Sequence, residues 1–188
     1  MRSFAPALLL GCLAACQHLP PIWSDLDRQR TTELKRVAVL QGAADGAVSS
    51  CAITHARAIG TALTRWGRFE VVSYRDTLVR LGTTRVELGP GSERFEPGLP
   101  ALRQELGADA VFVFWTLRCG PARGDAYKVK LFSTVDSALL GLYDVERPGG
   151  GDVVGFPYDS RKNAVSMATE LVEALARRLD EPEREGNR

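Results

Sequence analysis

The chain has 188 residues, 45% hydrophobic and 25% charged, a globular composition with length for one domain and its core, which excludes disorder, collagen and coiled coil. Its 24 Lys and Arg against 23 Asp and Glu give a formal net charge of +1, so no basic field gathers nucleic acid. Beyond Leu19 no apolar run approaches the roughly 20 residues that span a bilayer, so any membrane link comes from the N-terminus.

Residues 1–16 read MRSFAPALLLGCLAAC: a positive charge at Arg2, an apolar stretch from Phe4 to Ala15, then a cysteine. This is the layout of a secretory signal. Leu13, Ala14, Ala15 and Cys16 resemble the lipobox of bacterial lipoproteins, which implies a signal peptide over 1–15 and lipidation of Cys16. Cys12, preceded by Leu9, Leu10 and Gly11, offers a second such reading but leaves a very short apolar region. The resemblance further implies a thioether-linked diacylglycerol and an amide-linked acyl chain, and three chains hold far more firmly than one. Gln17 is not the Asp that in many Gram-negative bacteria retains lipoproteins in the inner membrane, so the expected location is the periplasmic face of the outer membrane.

Residues 16–35 are polar, carry Pro20 and Pro21 together and show no sustained period, which predicts a lipidated N-terminus and flexible tether, with Trp23 either at the membrane interface or folded back on the domain. The domain is expected over 36–180, with 181–188 as a charged tail. Val37 to Leu40 reads as a buried strand. Ile53, Ala56, Ile59, Gly60, Leu63 and Trp66 recur at helical spacing, with Ser49 or Ser50 as cap and Gly67 as stop. A strand follows over 69–73, then a short helix over 75–81 and an irregular connection over 83–98. Leu99, Leu102 and Leu106 share a helix face that Gly107 ends. The run AVFVFWTL over 110–117 is apolar on both faces, as a central strand covered on both sides requires. Residues 127–135 and 138–145 read as antiparallel strands, 147–151 as a turn and 152–158 as an edge strand. Val165, Ala168, Leu171, Val172, Leu175 and Leu179 mark a terminal helix capped by Asp159 or Ser160.

This order predicts a single three-layer α/β/α domain on a mixed sheet of about five strands: two strand-helix units, an antiparallel meander and a C-terminal helix. With VAVL opening it, RFEVVS after the first helix, ELGADAVFVF entering the third strand and the terminal helix, the pattern resembles the periplasmic module shared by the TolB N-terminal domain, CsgG and LpoB. The chain lacks the length for CsgG-like membrane hairpins, no propeller follows as in TolB, and its tether is shorter than that of LpoB.

The sheet order 2-1-3 of that module makes strands one and three neighbours, with Cys51 and Cys119 at the same sheet edge. A disulfide is the expected use of the pair in an exported protein, two packed thiols being the alternative. The chemical alternative joins Cys51, near a helix N-terminus, to His55 one turn on as nucleophile and base. Against it, the other histidine is His18 in the tether, and the ordinary reading of His55 is a solvated or first-turn residue. No paired metal-ligand spacing is present, and Asp144, Glu146 and Asp152 read as solvated turn carboxylates, so no metal or cofactor is expected. By fold analogy the crevice beside the switch in strand order gives a candidate binding rim at Gly42, Asp45, Ser49, Arg118 and Arg123. The expected function is therefore a non-enzymatic, lipid-anchored interaction module in envelope assembly, secretion or peptidoglycan synthesis. Its partners are the membrane through Cys16 and an envelope protein, with no nucleic acid and homo-oligomerisation left open. A protein binding a small envelope ligand such as a glycan fragment, and a Cys-His hydrolase, stand as alternatives.

Overall fold

A computed structural model describes residues 23–41, 50–72, 99–118, 125–147 and 160–181. In chain order the elements are β1 (Trp23–Ser24), α1 (Arg28–Glu33), β2 (Arg36–Gln41), α2 (Ser50–Trp66), β3 (Glu70–Val72) and α3 (Leu99–Leu106). After these come β4 (Ala110–Arg118), β5 (Asp125–Ser133), β6 (Leu139–Arg147) and α4 (Ser160–Asp180).

One mixed sheet of six strands runs in the order β1-β6-β5-β4-β2-β3. β2 pairs in parallel with both β3 and β4, so the first three strands of the two strand-helix units stand in the expected 2-1-3 order. β4, β5 and β6 form the expected antiparallel meander, with Phe114 opposite Val129 and Val129 opposite Tyr143. The helix stops are as read: Gly67 (φ +74°) and Gly107 (φ +62°) take the left-handed conformation that closes a helix without a Cβ penalty. Each donates its amide back into its helix, Gly67 to Leu63 and Gly107 to Arg103.

Strand alternation sorts the core into two layers. Val37, Val39, Phe112, Phe114, Tyr127, Val129 and Leu131 face α2 and α4, joining Ile59, Leu63, Leu171 and Leu175. Ala38, Leu40, Val111, Val113, Trp115 and Phe132 pack on the opposite face, where α3 contributes Leu106. β4 is thus buried on both sides, which is why its sequence shows no polar alternation.

The N-terminal side of the domain departs from expectation. Residues 23–35, expected in the tether, belong to the fold, and the sheet gains a sixth strand from them. β1 pairs antiparallel with β6, Trp23 opposite Tyr143 and Ser24 opposite Leu142. Trp23 is fully buried, packs against Phe112 and Tyr143, and donates its indole N–H to the Leu171 carbonyl of α4 at 3.2 Å. The physical reason is local: Gly141 on β6 leaves the space in which the indole lies, since a Cβ there would stand 3.1 Å from Trp23 Cε3. α1 then crosses to α4, its cap Asp27 accepting from the Arg30 amide at 3.0 Å. Arg28 donates to the carbonyls of Leu179 and Glu181, tying the start of the domain to its last helix. Arg30 makes a bidentate pair with Asp136 at 2.8 and 2.9 Å in the turn between β5 and β6. That guanidinium, with the Ser133 hydroxyl, holds the Asp136 carboxyl down to about 2.

The expected helix over 75–81, the connection over 83–98 and the edge strand over 152–158 lie outside the described residues, as do residues 1–22 and the tail beyond Glu181.

Candidate functional site

The carboxyl ends of β2 and β4 are where this topology places a crevice, because the crossovers leaving β2 and arriving at β4 lie on opposite sides of that pair. β2 ends at Gln41, which pairs with Phe114, and β4 continues past it to Arg118. α2 starts at Ser50 above the same edge. Of the expected rim, Arg118 is the last residue of β4, opposite Ala126 across an irregularity in the ladder. Gly42, Asp45, Ser49 and Arg123 lie outside the described residues, and so does Cys119.

Cys51 is half-buried in the first turn of α2. Its carbonyl lies 2.8 Å and its Sγ 3.4 Å from His55 Nδ1. A carbonyl only accepts, so Nδ1 carries the proton and donates to it. A nitrogen committed in that way does not accept a proton from the neighbouring sulfur, which removes the geometry a nucleophile-base pair needs. His55 is also fully buried, stacked on Phe114 with centroids 5.6 Å apart and planes 10° from parallel, and 4.6 Å from Tyr127. The expectation of a solvated or first-turn histidine is therefore corrected: its ring belongs to the aromatic packing beneath the crevice, where α2 presses onto β4 and β5.

The carboxylate reading at the far turn is resolved for one of its members. Asp144 faces Lys128 across the strand pair, with an ion pair of 3.6 Å. Among the described residues no cluster of His, Cys, Asp and Glu is arranged to hold a metal.

Two features were not legible in the sequence as site residues. Lys130 is buried on the sheet face opposite α2 and α4, its ammonium 6.0 Å from the Trp115 ring centroid. The alternation of β5 supplied the signal, since Lys130 shares a face with buried Phe132. The second is a cleft of about 370 Å³ between the outer sides of α2 and α4, walled by Ala58, Ala62, Trp66, Val165 and Thr169, with Arg65 and Glu173 at its rim. It lies on the helical layer, away from the expected crevice.

No protein-family model matches the chain, and no curated protein does. Solved structures of similar trace include the PelC dodecamer from Paraburkholderia phytofirmans, 10% identical, covering 75% of this chain and 86% of that one at a TM-score of 0.45. Lipoprotein GNA1162 from Neisseria meningitidis is 14% identical over 75% of this chain and 96% of its own, at a TM-score of 0.48. The LpoB C-terminal domain from Escherichia coli is 16% identical over 60% and 83%, at 0.38. These are similarities of chain trace alone.

Proposed function

We propose that the chain is an outer-membrane lipoprotein, anchored through Cys16 on the periplasmic face, whose α/β domain is a non-enzymatic docking module for an envelope protein. The observation that carries the reading is the join between anchor motif and fold: Trp23, seven positions after Cys16, is already fully buried between β6 and α4. The polar leader that follows the lipobox is too short to act as a long tether, so the module works where it is anchored, and partners come to it. Confinement to that shell raises the effective concentration of the domain toward partners on the same surface.

The Cys51–Cys119 disulfide belongs to the same reading. In its support, Cys51 opens the helix above β2 while Cys119 directly follows the end of β4, and those strands are parallel neighbours. Closing so long a loop stabilises a domain by roughly 4 kcal/mol in the chain-entropy model. The commitment of His55 Nδ1 to a carbonyl speaks against the Cys-His hydrolase.

Intact mass spectrometry of the membrane-purified protein, with and without reduction and alkylation, tests both parts. A chain starting at a triacylated Cys16, with two thiols that alkylate only after reduction, is the expected result. A soluble, unlipidated product overturns the anchor, and thiols open to alkylation without reduction overturn the disulfide.

Capture of a small envelope ligand is the second reading, favoured by the Trp66-walled cleft between α2 and α4. Saturable quenching of tryptophan fluorescence by glycan fragments, lost in Trp66→Ala, would move the assignment to it.

A further inference from the structure

The strand directions say which end of the domain the anchor reaches. β6 runs from Leu139 to Arg147 parallel to β4, so Arg147 and Arg118 end at the same edge of the sheet as Gln41. β1 is antiparallel to β6, so the chain preceding Trp23 comes from that carboxyl edge and not from the opposite one. The first residues of α2 and α4, Ser50 and Ser160, stand at that edge too, because both helices follow strands that end there.

Contour length then sets the spacing. Seven residues from Cys16 to Trp23 reach at most about 24 Å when fully extended. Trp23 sits level with Tyr143, four residues short of the end of β6, and that stretch of strand takes up about 13 Å. Little more than about 10 Å of chain is left between the sheet edge and the acylated cysteine. The far ends of the strands lie about 30 Å away, the length of a nine-residue strand such as β4.

Resting on the lipid anchor proposed above, we infer that the carboxyl edge of the sheet is apposed to the lipid surface, and that the edge formed by the turns at Gly67, Gly107 and 134–138 points away from it. The chemistry of the described residues suits this orientation. Arg161 and Lys162 are exposed in the first turn of α4 at the carboxyl edge, and Leu117 near the end of β4 is 46% exposed. Cationic groups and an exposed leucine at one edge match an anionic headgroup layer. At the opposite edge the exposed acids Asp136, Asp180 and Glu181 are each ion-paired, with Arg30, Arg68 and Arg178. Protein partners are then left with the distal edge and the helical layer, including the cleft between α2 and α4.

The test uses the full-length lipidated protein in phosphatidylethanolamine and phosphatidylglycerol vesicles, with a fraction of lipids carrying a headgroup nitroxide. A small fluorophore on a non-native amino acid replaces Leu117 in one variant and Val135 in another, both exposed positions, 46% and 60% respectively. Flotation with the vesicles is measured first. The expected result is co-flotation of both variants, with quenching several-fold stronger at position 117 than at 135. Co-flotation with equal quenching means the domain lies on its β1 side or tumbles, and overturns this inference while leaving the anchor intact. Stronger quenching at 135 overturns it by reversing the orientation. Failure of both variants to float removes the anchor itself and the orientation with it.

Discussion

Replacing Trp23 by alanine removes an indole packed 6.1 Å from the Phe112 ring and 5.5 Å from Tyr143, together with its hydrogen bond to the Leu171 carbonyl. A buried aromatic truncated in this way costs about 3–5 kcal/mol. The expected outcome is a fall in the urea midpoint at unchanged m-value, and a midpoint equal to that of the parent would place the indole outside the core. Gly141→Ala attacks the same contact from the other side, because its Cβ would stand 2.8 Å from Leu26 Cδ1 and 3.1 Å from Trp23 Cε3. Overpacking of this kind costs about 1–3 kcal/mol. The double variant Gly141→Ala, Leu26→Ala should be less destabilised than the sum of its parts, since the second change frees the space that the first one needs.

Asp136 gives a pH dependence with a defined sign. Its carboxyl sits at about 2 in the fold against 3.8 for the unperturbed group, first because of the hydrogen bond from Arg30 and then that from Ser133. A depressed carboxylate stabilises the fold above its unfolded value, and that contribution disappears as pH falls from 3.8 through about 2. The Asp136 side chain is half exposed, so solvent screening holds the pair to under about 1 kcal/mol. Asp136→Asn, which retains an oxygen for the Ala138 amide, should trail the parent by that amount at neutral pH and match it near pH 2 in a denaturation series. A gap that persists at pH 2 would assign the effect to packing.

At the scale of elements, β1 and α1 act as one clasp. They hold β6 by two paired residues and α4 by Trp23 and Arg28, and they reach the turn after β5 through Arg30. A chain beginning at Arg36 therefore loses the Trp23 contribution of about 3 kcal/mol and the capping of α4 as well. Its thermal transition should broaden and drop relative to a chain beginning just before Trp23. Equal transitions for the two would make the clasp decorative.

The legibility of these elements follows from their length. α2 and α4 carry enough turns for their apolar spacing to repeat, and β4 announces burial by an unbroken apolar run, so their places were readable. β1 has two residues, too few for any period, and lies in a polar, proline-containing stretch with the composition of a linker. Only the three-dimensional fit to Gly141 reveals it. His55 was misplaced for a related reason: its helical position was plain, but that it faces Phe114 and Tyr127 depends on which strands α2 covers. Of the expected rim, the strand end at Arg118 was legible from the end of an apolar run, whereas loop residues carry no comparable pattern.

For the whole molecule, reduction tests the Cys51–Cys119 pairing. A link between the crossover above β2 and the exit of β4 restrains the unfolded chain more than the folded one, so reductant should lower the denaturation midpoint by the equivalent of roughly 4 kcal/mol at most. A midpoint indifferent to reductant would count against the bond.

The Trp23 hydrogen bond to Leu171 spans 148 positions, nearly the length of the domain. A chain delivered amino end first across a membrane presents that tryptophan at the outset and supplies its acceptor only with the final helix. Local contacts in α2 and the β5–β6 hairpin form in the meantime, but the clasp waits on the slow closure of this long loop. Under the proposed lipid anchor, acylation seven residues upstream acts on a chain whose domain has not closed, and a translocation stalled before α4 leaves a sheet without its covering helix, open to proteolysis.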